Sequence, residues 1–407
     1  MEENAEKPKF PAKFLLGAAS AAHQVEGNNF HSDWWRYEQE GKLPKSGDAA
    51  DHYNRYAEDF ELAKSLGLNA MRISIEWSRI EPIENQWDEN AIEHYRKVLR
   101  KLKELGMVRM VTLYHFTLPQ WLAEEGGFET KKAGQALARF AWFIAKNLGD
   151  EIDYWITLNE PEIYAGAGFN QGVWPPFKKT KLLFYEVLNN LAEAHRLAYK
   201  SIKEVLPNSQ VGIATNKVYL EPDSNLYLDR LAVRVAKYFS NNYFLNKLKN
   251  DFDFIGLNYY FYVRIKFNLK SLFAGRFLEM AHYISNKNGP SHSDMGVRTY
   301  PEGIYSVIED LSVYKKDIFV TENGIANAGD NMRKRFILEH LAAIKKALDN
   351  GLKVKGYFYW SLTDTYEYLD GFDRKFGLIE VDFSNQKRRV REASDVFKEI
   401  GEVSNAI

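Results

Sequence analysis

Hydrophobic and polar positions alternate between two textures along the chain. Short apolar runs recur at FLLGAAS (14–20), NAMRISIEW (69–77), VRMVTLYH (108–115), YWITLNE (154–160), QVGIATN (210–216), DFIGLNYY (253–260), DIFVTENG (317–324) and VKGYFYWSL (354–362). Several are continuous rather than alternating with period two, which suits strands covered on both faces, as in a parallel sheet. Between them the period changes to that of a helix. Over residues 88–106, Asp88 predicts an N-cap, Ile92, Tyr95, Leu99 and Leu102 form one stripe, and Gly106 is the stop. Residues 130–149 and 331–351 read the same way. Eight strands alternating with helices predict an α/β chain folded as one (β/α)8 TIM barrel with elaborated βα loops, a single catalytic domain over 1–407. An open doubly wound sheet is the alternative on pattern alone.

What sits where these strands run out sharpens the picture. Gln24, Glu76, His115, Glu160, Asn258, Glu322 and Trp360 lie at or just past the C-terminal ends of their runs. In a barrel that end carries the site, because the βα loops converge there. Any one of them reads as a strand-end polar group bonded to a loop. Seven in register predict a shared pocket.

Composition narrows the classes. The 407 residues are 45% hydrophobic and 27% charged with net charge −1, so no basic stripe marks a nucleic-acid partner. There is no cysteine, which excludes disulfides and thiolate metal sites and fits a cytoplasmic location. The first ten residues are charged and lack the apolar core of a secretory leader, and no run of 18 apolar residues predicts a spanning helix. The nine histidines are scattered, without H-E-x-x-H, and no phosphate-cradling G-x-x-x-x-G-K-[ST] occurs, so neither metal nor cofactor is expected. GAGFNQG (166–172) is a poor dinucleotide turn by its spacing. Aromatic residues reach 14%, which fits either a large core or a cleft where ring faces meet sugar rings. Residues 261–298, basic and apolar together, read as an amphipathic helix packed over the barrel top; shaping the outer cleft is an alternative, and membrane contact a lesser one.

Glu160 and Glu322 carry the candidate chemistry. Cleaving a glycosidic bond needs a proton on the leaving oxygen and a nucleophile at the anomeric carbon, and two carboxyl groups in different protonation states supply both. With the register above, the two project from barrel strands four and seven across the mouth.

TLNEP (157–161), TENG (321–324), HQVEGN (23–28), RISIEWSRI (72–80) and WSLTDTYEYLDGFDRKFGL (360–378) together resemble glycoside hydrolase family 1, the β-glucosidases, β-galactosidases and β-mannosidases, over residues 10–391. DWWRYEQEGKLP (33–44) and HFTLP (115–119) look most like its compact archaeal-type β-glycosidases. The resemblance implies a retaining, exo-acting β-glycosidase, a β-glucosidase first of all, acting on β-glycosides or short oligosaccharides. By motif, Glu160 would be the acid/base and Glu322 the nucleophile. Arg72 would favour ionised Glu322, Asn159 would meet the sugar 2-OH, and Tyr260, with Asn258 beside it, would bond the nucleophile. Gln24, His115 and Glu367 would read sugar hydroxyls, Trp360 would lie under the ring, and Phe376 would wall it. Tyr259 would point into packing.

Two departures touch sugar choice. Phe116 stands where the family often has Trp, and Tyr368 where it usually has a Trp that lends its indole N–H to the sugar. The choice among gluco, galacto, manno and fuco sugars is therefore open. Glu367, Arg374 and Phe376 replace the serine, lysine and tyrosine pattern of the 6-phospho branch, and a carboxylate there would repel phosphate. Glu160 argues against the thioglucosidases, which lack that carboxylate. A catalytically impaired member that only binds carbohydrate is the alternative, disfavoured by the presence of both carboxylates. Oligomeric state is not legible.

Overall fold

A computed structural model describes residues 7–249, 251–268, 281–284 and 292–405. All eight predicted runs are strands: β1 (Leu15–Ala19), β2 (Ala70–Ser74), β3 (Val108–Tyr114), β4 (Tyr154–Asn159), β5 (Gln210–Pro222), β6 (Phe254–Phe267), β8 (Asp317–Asn323) and β9 (Val354–Trp360). They pair in parallel, each with its neighbour in sequence among these eight. β1 also pairs with β9, and β5 with β6, so the sheet closes into a (β/α)8 barrel. That settles the choice against an open sheet, which would leave two edges.

The barrel interior explains the unbroken apolar runs. Phe254, Phe319 and Phe358 fill it together with Leu15, Met110 and Ile156, while Ala19, Ala70 and Ala214 leave them room. Gly17 is required by this packing: a Cβ there would lie 2.6 Å from the Ala70 carbonyl oxygen and 2.7 Å from the Phe358 ring. The outward residues of the same strands bury against the helices, so both strand faces are apolar.

The helices follow the reading closely. Asp88 accepts from the backbone N–H groups of Asn90 and Ala91 and opens helix Glu89–Glu104; Gly106 ends it with φ +66°. Helices Lys131–Leu148 and Arg333–Asp349 fill the other two stretches. Thr130 differs from Asp88 in making no side-chain cap; its hydroxyl donates to the Gly127 carbonyl instead.

One expectation needs correction. The 261–298 stretch is not an amphipathic helix where it is described. β6 runs on to Phe267 and pairs antiparallel with β7 (Ala281–Ile284), while β5 continues beside it to Pro222. The continued pairing of β5 with β6 extends both strands beyond Asn258, so Asn258 lies inside β6 rather than at its end. Residues 269–280 and 285–291 of that stretch lie outside the described residues. No described helix is long and apolar enough to cross a membrane.

Candidate active site

Turns at the strand ends aim the functional side chains. Glu160 ends β4 with φ +44° and ψ 58°, a left-handed conformation costly for a residue with a Cβ, and Pro161 starts the short helix Pro161–Ala165 behind it. The Glu160 N–H donates to the Ala214 carbonyl at 2.8 Å, across a β-bulge between β4 and β5. The backbone thus turns the carboxyl inward. Glu322 stays within β8, directly in register with Asn258 of β6.

Both carboxyls line one pocket of about 280 Å³, and both are buried. Their surroundings differ. Arg72 donates to Glu322 Oε1 at 2.5 Å, and the Tyr260 hydroxyl donates to Oε2 at 2.8 Å. Arg72 is itself buried and also donates to the Thr321 carbonyl at 3.1 Å and to Asn159 Oδ1 at 2.7 Å. Among the described residues no cation bonds Glu160. Its Oε1 accepts from the amides of Asn216 at 2.9 Å and Asn258 at 2.8 Å. Burial, reinforced by the Glu322 charge, pushes the Glu160 carboxyl up to about 8. Burial pushes Glu322 up as well, but Arg72 and the Tyr260 hydroxyl oppose it. A proton shared by the pair therefore rests on Glu160.

Around the carboxyls the wall is ready to meet a polyhydroxyl ring. The Asn159 amide oxygen takes Arg72 and Asn258, which leaves its nitrogen to face His115 Nε2 at 3.3 Å. His115 Nε2 is then the acceptor, and the proton sits on Nδ1, which is buried with no partner among the described residues. Burial and nearby Arg72 hold this imidazole neutral. Tyr368 likewise buries a hydroxyl without a partner among the described residues. Glu367 accepts from Trp360 Nε1 at 3.2 Å and from the Thr365 hydroxyl, and burial raises it to about 7. Gln24 donates one amide hydrogen to the Tyr366 carbonyl at 2.9 Å.

Of the residues expected from sequence, Gln24, His115, Glu160, Tyr260, Glu322, Trp360, Glu367, Tyr368 and Phe376 line the pocket. Arg72 and Asn258 stand behind the carboxyls and hold them, and Asn159 is bonded to both of these residues. Tyr259 faces away, its hydroxyl donating to the Tyr300 carbonyl at 2.8 Å. Glu76 is brought elsewhere: its carboxylate accepts from Ser78 and Thr117 and caps the helix Trp77–Ile80. Sequence reasoning missed Asn216, although the run QVGIATN ends on it just as the other runs end on polar groups. It also missed the outer apolar wall of Ile163, Trp174, Met295 and Val297, which comes from one short helix and from loops without a periodic signature. The part of 261–298 that reaches the pocket does so as a loop. Among the described residues no cluster of His, Cys, Asp and Glu could hold a metal.

Comparison with known proteins shows the family and the fold. The family model "Glycosyl hydrolase family 1" matches residues 6–249 and 245–405. β-Glucosidase A of Thermotoga maritima is 32% identical over 95% of this chain and 96% of its own. A β-galactosidase of Pyrococcus woesei is also 32% identical, over 96% of each chain. The solved β-glycosidase of Pyrococcus horikoshii superposes with a TM-score of 0.92 at 36% identity, covering 98% of this chain and 96% of that one.

Proposed function

The chain belongs to glycosyl hydrolase family 1, and from that premise we propose that it is a retaining, exo-acting β-glycosidase, foremost a β-glucosidase, on non-phosphorylated β-glycosides or short oligosaccharides. The observation that carries the reading is the unequal treatment of two buried carboxyls in one pocket. Glu322, beside Arg72, is the nucleophile and attacks the anomeric carbon. Glu160, held by two amides and with no bonded cation among the described residues, is the acid and protonates the departing oxygen.

Formation of the glycosyl ester removes the Glu322 charge. That charge was one cause of the raised Glu160 affinity for a proton, so Glu160 can then act as a base toward water. Asn159, fixed by Arg72 and Asn258, offers its amide nitrogen to the sugar 2-OH, a bond that tightens in the transition state. Gln24, His115 and Glu367 read the remaining hydroxyls, over the Trp360 ring and against Phe376. A carboxyl at Glu367 disfavours a 6-phosphate. The whole chain acts as one catalytic barrel, and the lack of cysteine supports a cytoplasmic setting.

The test is a panel of p-nitrophenyl β-glucoside, β-galactoside, β-mannoside and β-fucoside, with the anomer of the first-formed sugar read by NMR. Release from the glucoside with β-configured product is expected. Release from none of them, or an α-configured product, overturns the reading.

A further inference from the structure

Outside the pocket, β5 carries a lysine where a lysine is rarely found. Along β5, Ala214 and Asn216 face the barrel interior, while Thr215 and Lys217 face outward and are fully buried. Lys217 Nζ donates to Glu162 Oε1 at 3.0 Å, and the Thr215 hydroxyl donates to the same oxygen at 2.8 Å. Glu162 Oε2 is buried without a partner among the described residues. Neither Lys217 nor Glu162 lines the pocket.

A wholly buried ammonium is costly, and a hydrophobic pair of similar volume often fits such a place with no loss of stability. The location suggests another role. Glu162 is the second residue of the helix that begins directly after Glu160, whose left-handed backbone must be held against its preference. The partner strand is the one whose Asn216 holds the Glu160 carboxyl and whose Ala214 holds the Glu160 N–H.

We propose that the Lys217–Glu162 ion pair is a positioning device for the acid/base carboxyl: it clamps the turn that carries Glu160 onto β5. Lys217 and Glu162 are positioning residues and touch no substrate. The inference rests on Glu160 being the acid of the proposed reaction.

The test compares two leaving groups on the sugar that the unaltered chain prefers. A methyl β-glycoside needs the Glu160 proton to leave; a 2,4-dinitrophenyl β-glycoside does not. The variants are Lys217→Met and the double variant Lys217→Met with Glu162→Leu, which leaves no buried charge unpaired. Misplacing the acid by about 1 Å should lower kcat/KM on the methyl glycoside about 10- to 100-fold in both variants. On the dinitrophenyl glycoside the loss should stay within about threefold, because that bond breaks without the proton. Should Lys217→Met fail to fold by thermal melt, the double variant decides. An equal loss on both substrates, or a double variant with the unaltered ratio of the two, overturns this inference alone. No turnover of either substrate by the unaltered chain overturns the proposed function, and this inference with it.

Discussion

The two sides of the barrel mouth hold the same chemical group in opposite ways. On the β8 side, Glu322 lies within a strand, where β8 shifts register against β6 and β9, and is met by a buried guanidinium and a phenol. On the β4 side, Glu160 lies on a strained turn and is met by two neutral amides. Burial is nearly equal, at 4% and 7% relative exposure, so desolvation does not separate them. The counter-charge does. A cation stabilises only the ionised form, while an amide donor favours it far less, and a buried pair can differ in protonation by that contrast alone. The backbone follows the same division. In the proposed roles, the nucleophile needs a fixed line of attack and sits in the sheet, while the acid must reach over the pocket and sits on a turn beside β5.

The sharpest way to break the contrast is to delete the nucleophile. Glu322→Gly should lose turnover by on the order of 10⁵-fold. Azide should restore it by entering the vacated space and yielding the α-glycosyl azide, identified by NMR. Ordinary activity in this variant would end the assignment. Glu160→Ala is expected to cost about 10²- to 10⁴-fold on alkyl glycosides, the usual worth of a positioned proton donor, and far less on dinitrophenyl glycosides. Steady-state kinetics on both substrates separates the two roles, since loss of the nucleophile does not depend on the leaving group in this way.

A smaller change makes the two sides alike. Arg72→Met removes the guanidinium and leaves Glu322 buried with Tyr260 as its strong donor. The sign follows from linkage. The cation holds Glu322 down, so its removal lets Glu322 keep a proton to higher pH. The acid limb of kcat/KM should move to higher pH. The basic limb, set by Glu160 losing its proton near pH 8, should move less, because Arg72 is the weakest of the influences named on Glu160. The bell narrows from its acid side, with a loss of about 10²-fold at pH 6. A pH profile with both limbs unmoved would separate Arg72 from the charge contrast.

How much of this was legible in the chain depends on the range of the signal. Strands and long helices were, because period and burial are local: Asp88 and Gly106 bracket a helix that forms between them. The strand-end residues were, because a barrel turns sequence position into a shared rim. Asn258 shows the limit. Its run looked finished at Tyr260, yet β5 and β6 continue together as a ribbon, a pairing across more than forty residues that no local pattern announces. Glu76 shows another. It occupies a rim position, but Ser78 and Thr117 capture its carboxylate and turn it into a helix cap. The Lys217–Glu162 pair could not be foreseen, because a lysine in an apolar run reads as a strand end until its partner across the β-bulge is known.

The last prediction tests the pocket wall at Tyr368, which replaces the family's usual tryptophan. Its ring packs with centroids 4.4 Å from Trp34 and 5.2 Å from Trp174, so the side chain is held in place. Its hydroxyl is buried without a partner among the described residues, which costs the free protein about 1–3 kcal/mol. If a sugar hydroxyl completes that bond, Tyr368→Phe should act with opposite signs in two measurements. Urea unfolding of the free protein should show a gain of about 1 kcal/mol, because the orphaned group is gone. The same change should lower kcat/KM about five- to tenfold on the sugar whose hydroxyl the tyrosine meets, and leave the other aryl glycosides within about twofold. A gain in stability with no loss on any sugar would show that the phenol is a packing group, and that sugar choice lies with Gln24, His115 and Glu367 alone.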